Sequence, residues 1–207
     1  MRYGSEHKAE TRARVLKEAA AAIRRDGVDR IGVAQIMAAA GLTHGGFYAH
    51  FASKDDLVAQ AVGHMFEDRY AAFFERLDGD EPRAALTRFV DRYLSMRHRD
   101  APAAGCPIPV LAGQVPHLPK AARARFALAV ERLTGAVASL LLRMGREDAE
   151  TVAEAVIAEM VGAVALARVQ TNEARAEAML AAVRTSVKAK LGLNKGSDEI
   201  AADRRTG

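Results

Sequence analysis

Five of the six prolines fall between residues 100 and 120, in DAPAAGCPIPVLAGQVPHLPK. Proline has no N–H to donate and its ring clashes with the preceding turn, so this stretch is expected to be loop with at most short helices. On both sides of it the apolar residues recur with a helical period and no alternating strand pattern emerges. Val15, Leu16, Ala19, Ala20 and Ile23 share one face of a helix expected over about 8–26. Gly27 ends it after the basic pair Arg24-Arg25. Val33, Ile36, Met37 and Ala40 mark a short helix closed by Gly41, and Thr43 can cap another that includes Phe47, Tyr48 and Phe51. Ser53-Lys54-Asp55-Asp56 is a strong helix start, with Ser as N-cap and carboxylates in the positive first turn. That helix should run to about Leu77. Gly79-Asp80-Glu81-Pro82 breaks it, and a further helix is expected from about Pro82 to His98. Long, Ala-rich helices are expected over about 119–144, 147–171 and 173–191; in the last, Leu180, Val183, Val187 and Leu191 align. The expected fold class is therefore all-α.

Composition narrows the class of protein. The chain has 207 residues, 50% hydrophobic and 27% charged, a globular balance. A single Cys excludes an intrachain disulfide framework and Cys-rich zinc sites, and makes the cytoplasm the default compartment. No apolar run approaches a membrane span, and the polar N-terminus has no apolar core like that of a secretory signal. Charge is distributed unevenly. Residues 1–54 carry 9 Lys/Arg against 5 Asp/Glu, whereas residues 55–207 carry 21 of each. All of the net +4 sits in the first quarter, which suggests a polyanion-binding unit on a neutral body. Enzyme motifs are missing: there is no HExxH, no GxSxG and no GxxxxGK[ST]. His44-Gly45-Gly46 is similar to an esterase oxyanion loop, but no Ser has the flanking glycines of a nucleophile elbow. No His pair has metal-binding helical spacing. Neither catalysis, cofactor nor metal is expected.

The segment VAQIMAAAGLTHGGFYAHF, residues 33–51, has helix-turn-helix spacing. Gly41 supplies the left-handed backbone of the turn. Ala38, Ala39 and Ala40 are expected to permit close approach, and Leu42 and Phe51 to anchor the second helix. Gly45 and Gly46 cost roughly 1 kcal/mol each against Ala in a helix. They suit a first turn whose amides approach a phosphate closely.

These residues resemble the TetR family of transcriptional repressors. The likeness is carried by Thr11-Arg12, Gly27, the run Val33 to Thr43, Gly46-Phe47-Tyr48-Ala49-His50-Phe51 and Ser53-Lys54-Asp55-Asp56-Leu57. The FYxHFxSKxxL stretch is its most specific part, and the match covers about 8–60. The resemblance implies a helix-turn-helix DNA-binding domain over 1–53, a helical ligand-binding and dimerisation domain over 54–192, and a flexible polar tail over 193–207. Gly32 departs from the Ser or Thr usual at the second helix's N-cap, and His44 from the frequent Lys or Gln. The resemblance places Thr43, His44, Gly45 and Gly46 at the DNA groove, Tyr48 and His50 at phosphates, and Lys54 beside the DNA backbone. Thr43 could be merely a cap, Tyr48 merely an exposed tyrosine, His50 merely packed and Lys54 merely solvated. Phe47 and Phe51 read as core. Arg12, Arg14, Arg24, Arg25 and Arg30 read as a solvated basic face.

Partners follow from the same likeness. They are a duplex operator, a second copy of the chain and a small-molecule effector, with no membrane. A homodimer on a palindromic operator is expected, because one short recognition helix reads few bases. It would be built from 147–171 and 173–191, whose Ala153, Ala155, Ala158, Gly162, Ala163, Ala165 and Ala167 allow close approach or else pack inside one chain. Candidate pocket residues are Met65, Phe66, Phe89, Tyr93, Met96, Phe126, Leu133 and Met160, most of them also readable as simple core. The Gly105-Cys106 step, after the fifth helix, is similar to that of thiol-responsive members of the family. Cys106 is a candidate sensor or a small buried apolar residue, with Arg97, His98 and Arg99 the nearest cations in sequence. An activator of the same fold, and a helical interaction module without DNA binding, remain as alternatives.

Overall fold

A computed structural model of the chain describes residues 2–194, and the part of the expected polar tail from residue 195 onward lies outside the described residues. Nine α-helices and two 3-10 helices follow one another among the described residues, with no strand. They are α1 (Arg2–Asp26), α2 (Val33–Ala39), the 3-10 helix His44–Ala49, α3 (Lys54–Phe74), α4 (Pro82–Tyr93), α5 (Met96–Arg99), α6 (Ile108–Leu111), the 3-10 helix Ala112–His117, α7 (Lys120–Arg143), α8 (Ala149–Val169) and α9 (Glu173–Lys190). They form two compact units. Unit 1 holds the chain up to Ala71 together with Ala101–Glu131; unit 2 holds Ala72–Asp100 together with the chain from Arg132.

In unit 1, α1 turns Val15, Ala19, Ala20 and Ile23 into the core, where Ile36, Met37, Phe47, Phe51, Leu57 and Val62 join them, all buried. Burying each of the larger side chains contributes about 1.5–3 kcal/mol. The turn after α2 is tight. Gly41 sits at φ +74. Its N–H donates to the Ala38 carbonyl at 3.0 Å, and the Leu42 N–H donates to Met37 at 2.9 Å. This paired closure satisfies the last carbonyls of the helix. The α3 start works as its sequence indicates. The Ser53 hydroxyl accepts from the Asp56 N–H at 3.1 Å, and the Asp56 carboxylate reaches back to the Ala52 N–H at 3.0 Å. The proline-rich segment yields only the one-turn α6 and a 3-10 helix.

In unit 2, α8 and α9 pack on each other, and α9 also meets α4. Leu86, Val90, Leu140, Leu141, Val156, Met160, Val164, Leu180 and Val187 are the buried layer. Glu81 caps α4, its carboxylate accepting from the N–H groups of Arg83 at 2.8 Å and Ala84 at 2.6 Å. Two arginines stop exposed carbonyls. Arg143 donates to Leu77 and Asp80, and Arg168 to His98 and Arg99.

Several expected boundaries shift. The helix expected over 8–26 begins at Arg2. The helix expected to reach Leu77 ends at Phe74, because Arg76 and Leu77 turn back on Phe73 and Phe74 in tighter, i to i+3 bonds. The helix expected over 82–98 stops at Tyr93: Leu94 leaves the helical region at ψ 62, and the Ser95 side chain caps a separate turn by accepting from the His98 N–H. The segment expected to be a Thr43-capped helix is a 3-10 helix, and the Thr43 side chain makes no cap bond. Ala38 and Ala39 are exposed; only Ala40 of that trio is buried.

Gly27 and Gly41 both need positive φ, at +82 and +74, but their surroundings differ. A Cβ on Gly41 would meet nothing within 4 Å, whereas one on Gly27 would lie 2.9 Å from the Gln114 side-chain oxygen, which itself accepts from the Val28 N–H at 3.2 Å. Gly41→Ala should therefore cost only the backbone term of about 1–2 kcal/mol. Gly27→Ala should cost about 1 kcal/mol more, for the lost Gln114 hydrogen bond. Urea midpoints of the two variants check this order.

Candidate nucleic-acid interface

The 3-10 helix His44–Ala49 is short, carries two glycines and has little stability of its own. Tertiary contacts hold it. Phe47 and Phe51 are 2% and 1% exposed, with rings stacked at 5.6 Å. Arg12 closes the other side. Its guanidinium donates to the His50 carbonyl and the Gln60 side-chain oxygen, and lies 4.9 Å over the Phe51 ring. Gln60 in turn donates to Asp56 at 2.7 Å. One side chain of α1 thus ties together the end of the 3-10 helix and the first turns of α3.

What this leaves outside is the set read from the sequence. Thr43, His44, Gly45 and Lys54 are exposed and Gly46 is half-buried. Tyr48 is 73% exposed, its ring edge-on to Phe47 at 5.2 Å. His50 is half-buried, and its Nδ1 is buried without a partner. Burial, then the positive charges of Lys8 and Arg12, push its pKa below the ordinary 6.5. At neutral pH it is an uncharged hydrogen-bonding ring.

The glycines divide by what surrounds them. Neither Gly45 nor Gly46 has positive φ. A Cβ on Gly45 would meet nothing within 4 Å; one on Gly46 would touch Met37 Cε at an ordinary 3.7 Å. Nothing in the chain itself demands a missing side chain at 45.

The pocket candidates are distributed over both units. Met65, Phe66 and Phe126 are buried in unit 1, where Phe66 and Phe126 pack edge to face at 5.4 Å. Phe89, Tyr93, Leu133 and Met160 are buried in unit 2, and Met96 is half-buried there. Cys106 is fully buried in unit 1. The cation beside it is Arg24, and its hydrogen-bond partner is Tyr70, whose hydroxyl is raised well above its ordinary pKa by burial, then by the Cys106 thiol. Arg97, His98 and Arg99, expected to supply the charge, belong to unit 2.

Two readings of the basic face need correction. Arg24, expected to be solvated, is 5% exposed. Arg12, grouped with it, is half-buried and holds the interface together. Neither is legible in the sequence, because one-letter periodicity does not say which long cation bends inward. The small residues of α8 also divide. Ala153, Ala163 and Ala167 are buried in unit 2, Ala155 and Ala158 are exposed, and Gly162 and Ala165 are half-buried.

Because the folded state holds His50 below 6.5, it binds fewer protons than the unfolded chain as pH falls. The His50 contribution to stability is thus complete above 6.5 and is lost as pH drops through its lower folded pKa. Replacing His50 with Gln should flatten that part of a stability-versus-pH curve. An NMR titration should place the ring's midpoint below 6.5.

Comparison with known proteins agrees with this geometry. Residues 15–61 match the model for bacterial regulatory proteins of the tetR family. Residues 82–191 match the C-terminal domain of LmrA/YxaF-like transcriptional regulators. Among solved structures, a TetR regulator from Chloroflexus aurantiacus is 27% identical at a TM-score of 0.75, covering 90% of this chain and 96% of that one. A TetR-family regulator from Agrobacterium tumefaciens is 23% identical at 0.72, covering 86% and 98%. The reduced form of E. coli NemR is 19% identical at 0.74, covering 86% and 96%. The last two likenesses are of fold. No curated protein shows significant similarity. No helix among the described residues is long and apolar enough to cross a membrane. The chain belongs to the TetR family of transcriptional regulators, non-enzymatic DNA-binding proteins, and carries a C-terminal domain of the LmrA/YxaF-like type.

Proposed function

We propose that the chain is a cytoplasmic transcriptional repressor that binds a palindromic operator as a homodimer and is released by a small-molecule effector. The observation that carries DNA binding is the exposed row Thr43, His44, Gly45 and Tyr48, flanked by Lys54, on a 3-10 helix that is anchored from behind. Thr43, His44 and the two glycines face the groove, Tyr48 and neutral His50 donate to phosphates, and Lys54 adds charge. The bare Cα of Gly45 lets the backbone lie against the DNA.

The homodimer reading rests on unit 2. Leu166 and Val169 of α8 are 60% and 74% exposed, on the helix that presents Ala155 and Ala158. On α9, Ala178 and Ala182 are exposed as well. Apolar and small side chains left in water on two adjoining helices suit a four-helix interface with a second copy. Repression is preferred to activation because it predominates in the family.

Release would act through Cys106. A soft electrophile forms a bond to the Cys106 sulfur while the S–H bond breaks and its proton is released, once opening of the segment admits solvent; Arg24 is the cation beside that sulfur. The added atoms have no room at a fully buried position, so segment 101–118 must move. That segment holds Gly105, which accepts from Arg24, and Gln114, which accepts from the Val28 N–H, so its motion reaches the DNA-binding helices.

Selection of genomic fragments by the purified protein tests the whole reading, with a palindrome as the expected product. Gel filtration at micromolar concentration should show a dimer; a mass near 22 kDa removes that claim. On the recovered site, Gly45→Ala should weaken binding about tenfold or more while leaving stability unchanged or slightly raised. Lys54→Ala should reduce the salt slope by about 1. Equal binding by Gly45→Ala would show that the backbone at 45 does not approach DNA. N-ethylmaleimide should release the wild type but not Cys106→Ser; release of both ends the sensor reading.

A further inference from the structure

Charge inside a protein needs a counter-charge or a good set of acceptors. Arg24, in the last turn of α1, has only part of either: its burial is opposed by Asp68 and then Cys106, neither of them an ion-pair partner. It is 5% exposed, its Nη1 reaches the Gly105 carbonyl only at 3.5 Å, and its Nε is buried with no partner. The carboxylate that acts on it, Asp68, is exposed and makes no ion pair with it. The Nε of Arg69, on α3, is likewise buried and unpartnered. Its guanidinium lies 5.5 Å over the Tyr70 ring, and its charge opposes that of Arg24. Two like charges are therefore held near each other in unit 1, partly dehydrated, with two N–H donors unused.

Burial disfavours this state most, Asp68 and Cys106 offset it in part, repulsion by Arg69 adds a smaller penalty, and a bound anion relieves both penalties at once. The surroundings say which kind. Tyr70 packs 6.4 Å from Phe66, which meets Phe126 edge to face, so the neighbourhood of the charges is aromatic and apolar. A ring entering there must displace packed side chains, as an adduct on Cys106 must, and such aromatic surroundings suit it more than a hydrated inorganic ion. The planar fork of arginine matches the two oxygens of a carboxylate.

We propose that Arg24 and Arg69 form an anion subsite in unit 1 that takes the carboxylate or phenolate of an aromatic effector, whose oxygens accept from the two unused Nε–H groups. The subsite deepens the effector reading above and rests on it for its regulatory meaning, but binding can be measured without DNA.

The test uses the full chain with sodium benzoate, its neutral isostere benzamide, and inorganic phosphate. Benzoate should raise the melting temperature in a saturable way, and benzamide and phosphate should not. Arg24→Gln and Arg69→Gln should each weaken benzoate binding about tenfold, the loss expected for one charge-assisted hydrogen bond. Arg24→Met should melt, without ligand, no lower than the wild type, because it removes a buried charge that Asp68 and Cys106 offset only in part; a purely structural arginine would give a lower value. Arg69 is only half-buried, so its variant remains informative if an Arg24 variant fails to fold. Benzamide or phosphate binding as well as benzoate, no benzoate binding, or unchanged binding in both glutamine variants overturns the proposal. A separate arm adds benzoate to the DNA complex. Binding without DNA release keeps the subsite and sinks its effector role. Release by N-ethylmaleimide without benzoate binding does the reverse.

Discussion

The burial of Phe47 and Phe51 is the contact on which the interface depends. A six-residue 3-10 helix containing Gly45 and Gly46 would not persist in water, because its hydrogen bonds are few and poorly aligned and its glycines lose much backbone entropy. Two buried rings contribute several kcal/mol by area alone. That is enough to offset the cost of ordering the segment, provided α1, α2 and α3 supply the walls. Rigidity of the recognition element is thus a property of the surrounding core. Arg12 completes that core electrostatically by satisfying the His50 carbonyl where the 3-10 helix ends. Without it, a half-buried acceptor would lose its partner next to the residues proposed to face DNA.

How much of this could be read beforehand differs by element. The long helices α1, α7, α8 and α9 were legible because a repeated apolar period over many residues averages out local noise. The Gly41 turn and the Ser53 start were legible because left-handed backbone and N-capping impose strong residue preferences. The break after Tyr93 was not, since MRHR has no helix breaker and the signal was a single capping serine, Ser95. Nor was the 3-10 form of residues 44–49, where an α-helix and a 3-10 helix bury the same phenylalanines. Thr43, His44, Tyr48 and Lys54 were proposed from the motif, and the structure leaves all of them exposed. Arg12 and Gln60 were missed as a pair because they are 48 residues apart and meet only in the fold.

The division of the chain bears on how a signal could travel. Chain order suggests a DNA-binding head followed by a body, with α3 as the link. The contacts group residues differently: the proline-rich segment and the first part of α7 belong with the DNA-binding helices. Prolines explain why that segment can serve. Unable to extend into a long helix, 101–118 folds as short turns whose polar atoms are free for tertiary use, and two of them are used at the end of α1. Gly105 accepts from Arg24, and the Gln114 amide accepts from the Val28 N–H beside the positive-φ Gly27. Both bonds pin the α1–α2 turn.

A pinned turn is a place where a small change has leverage. The two bonds are single, and one of them is long at 3.5 Å. Whatever occupies the neighbourhood of Cys106, Tyr70, Arg24 and Arg69 competes directly with that long bond for the Arg24 guanidinium. An anion would draw the guanidinium away from Gly105; a modified thiol would push the Gly105-Cys106 peptide. Either event loosens the same turn from the same side. Coupling of this kind needs no rigid displacement of α3, only a difference in how well α1 is held with and without a ligand, and such a difference is sufficient for allostery. The buried arginine, which looks like a defect in a stability account, then has a physical reason to be there: a charge left underpaired in the free protein is what gives a ligand free energy to act on.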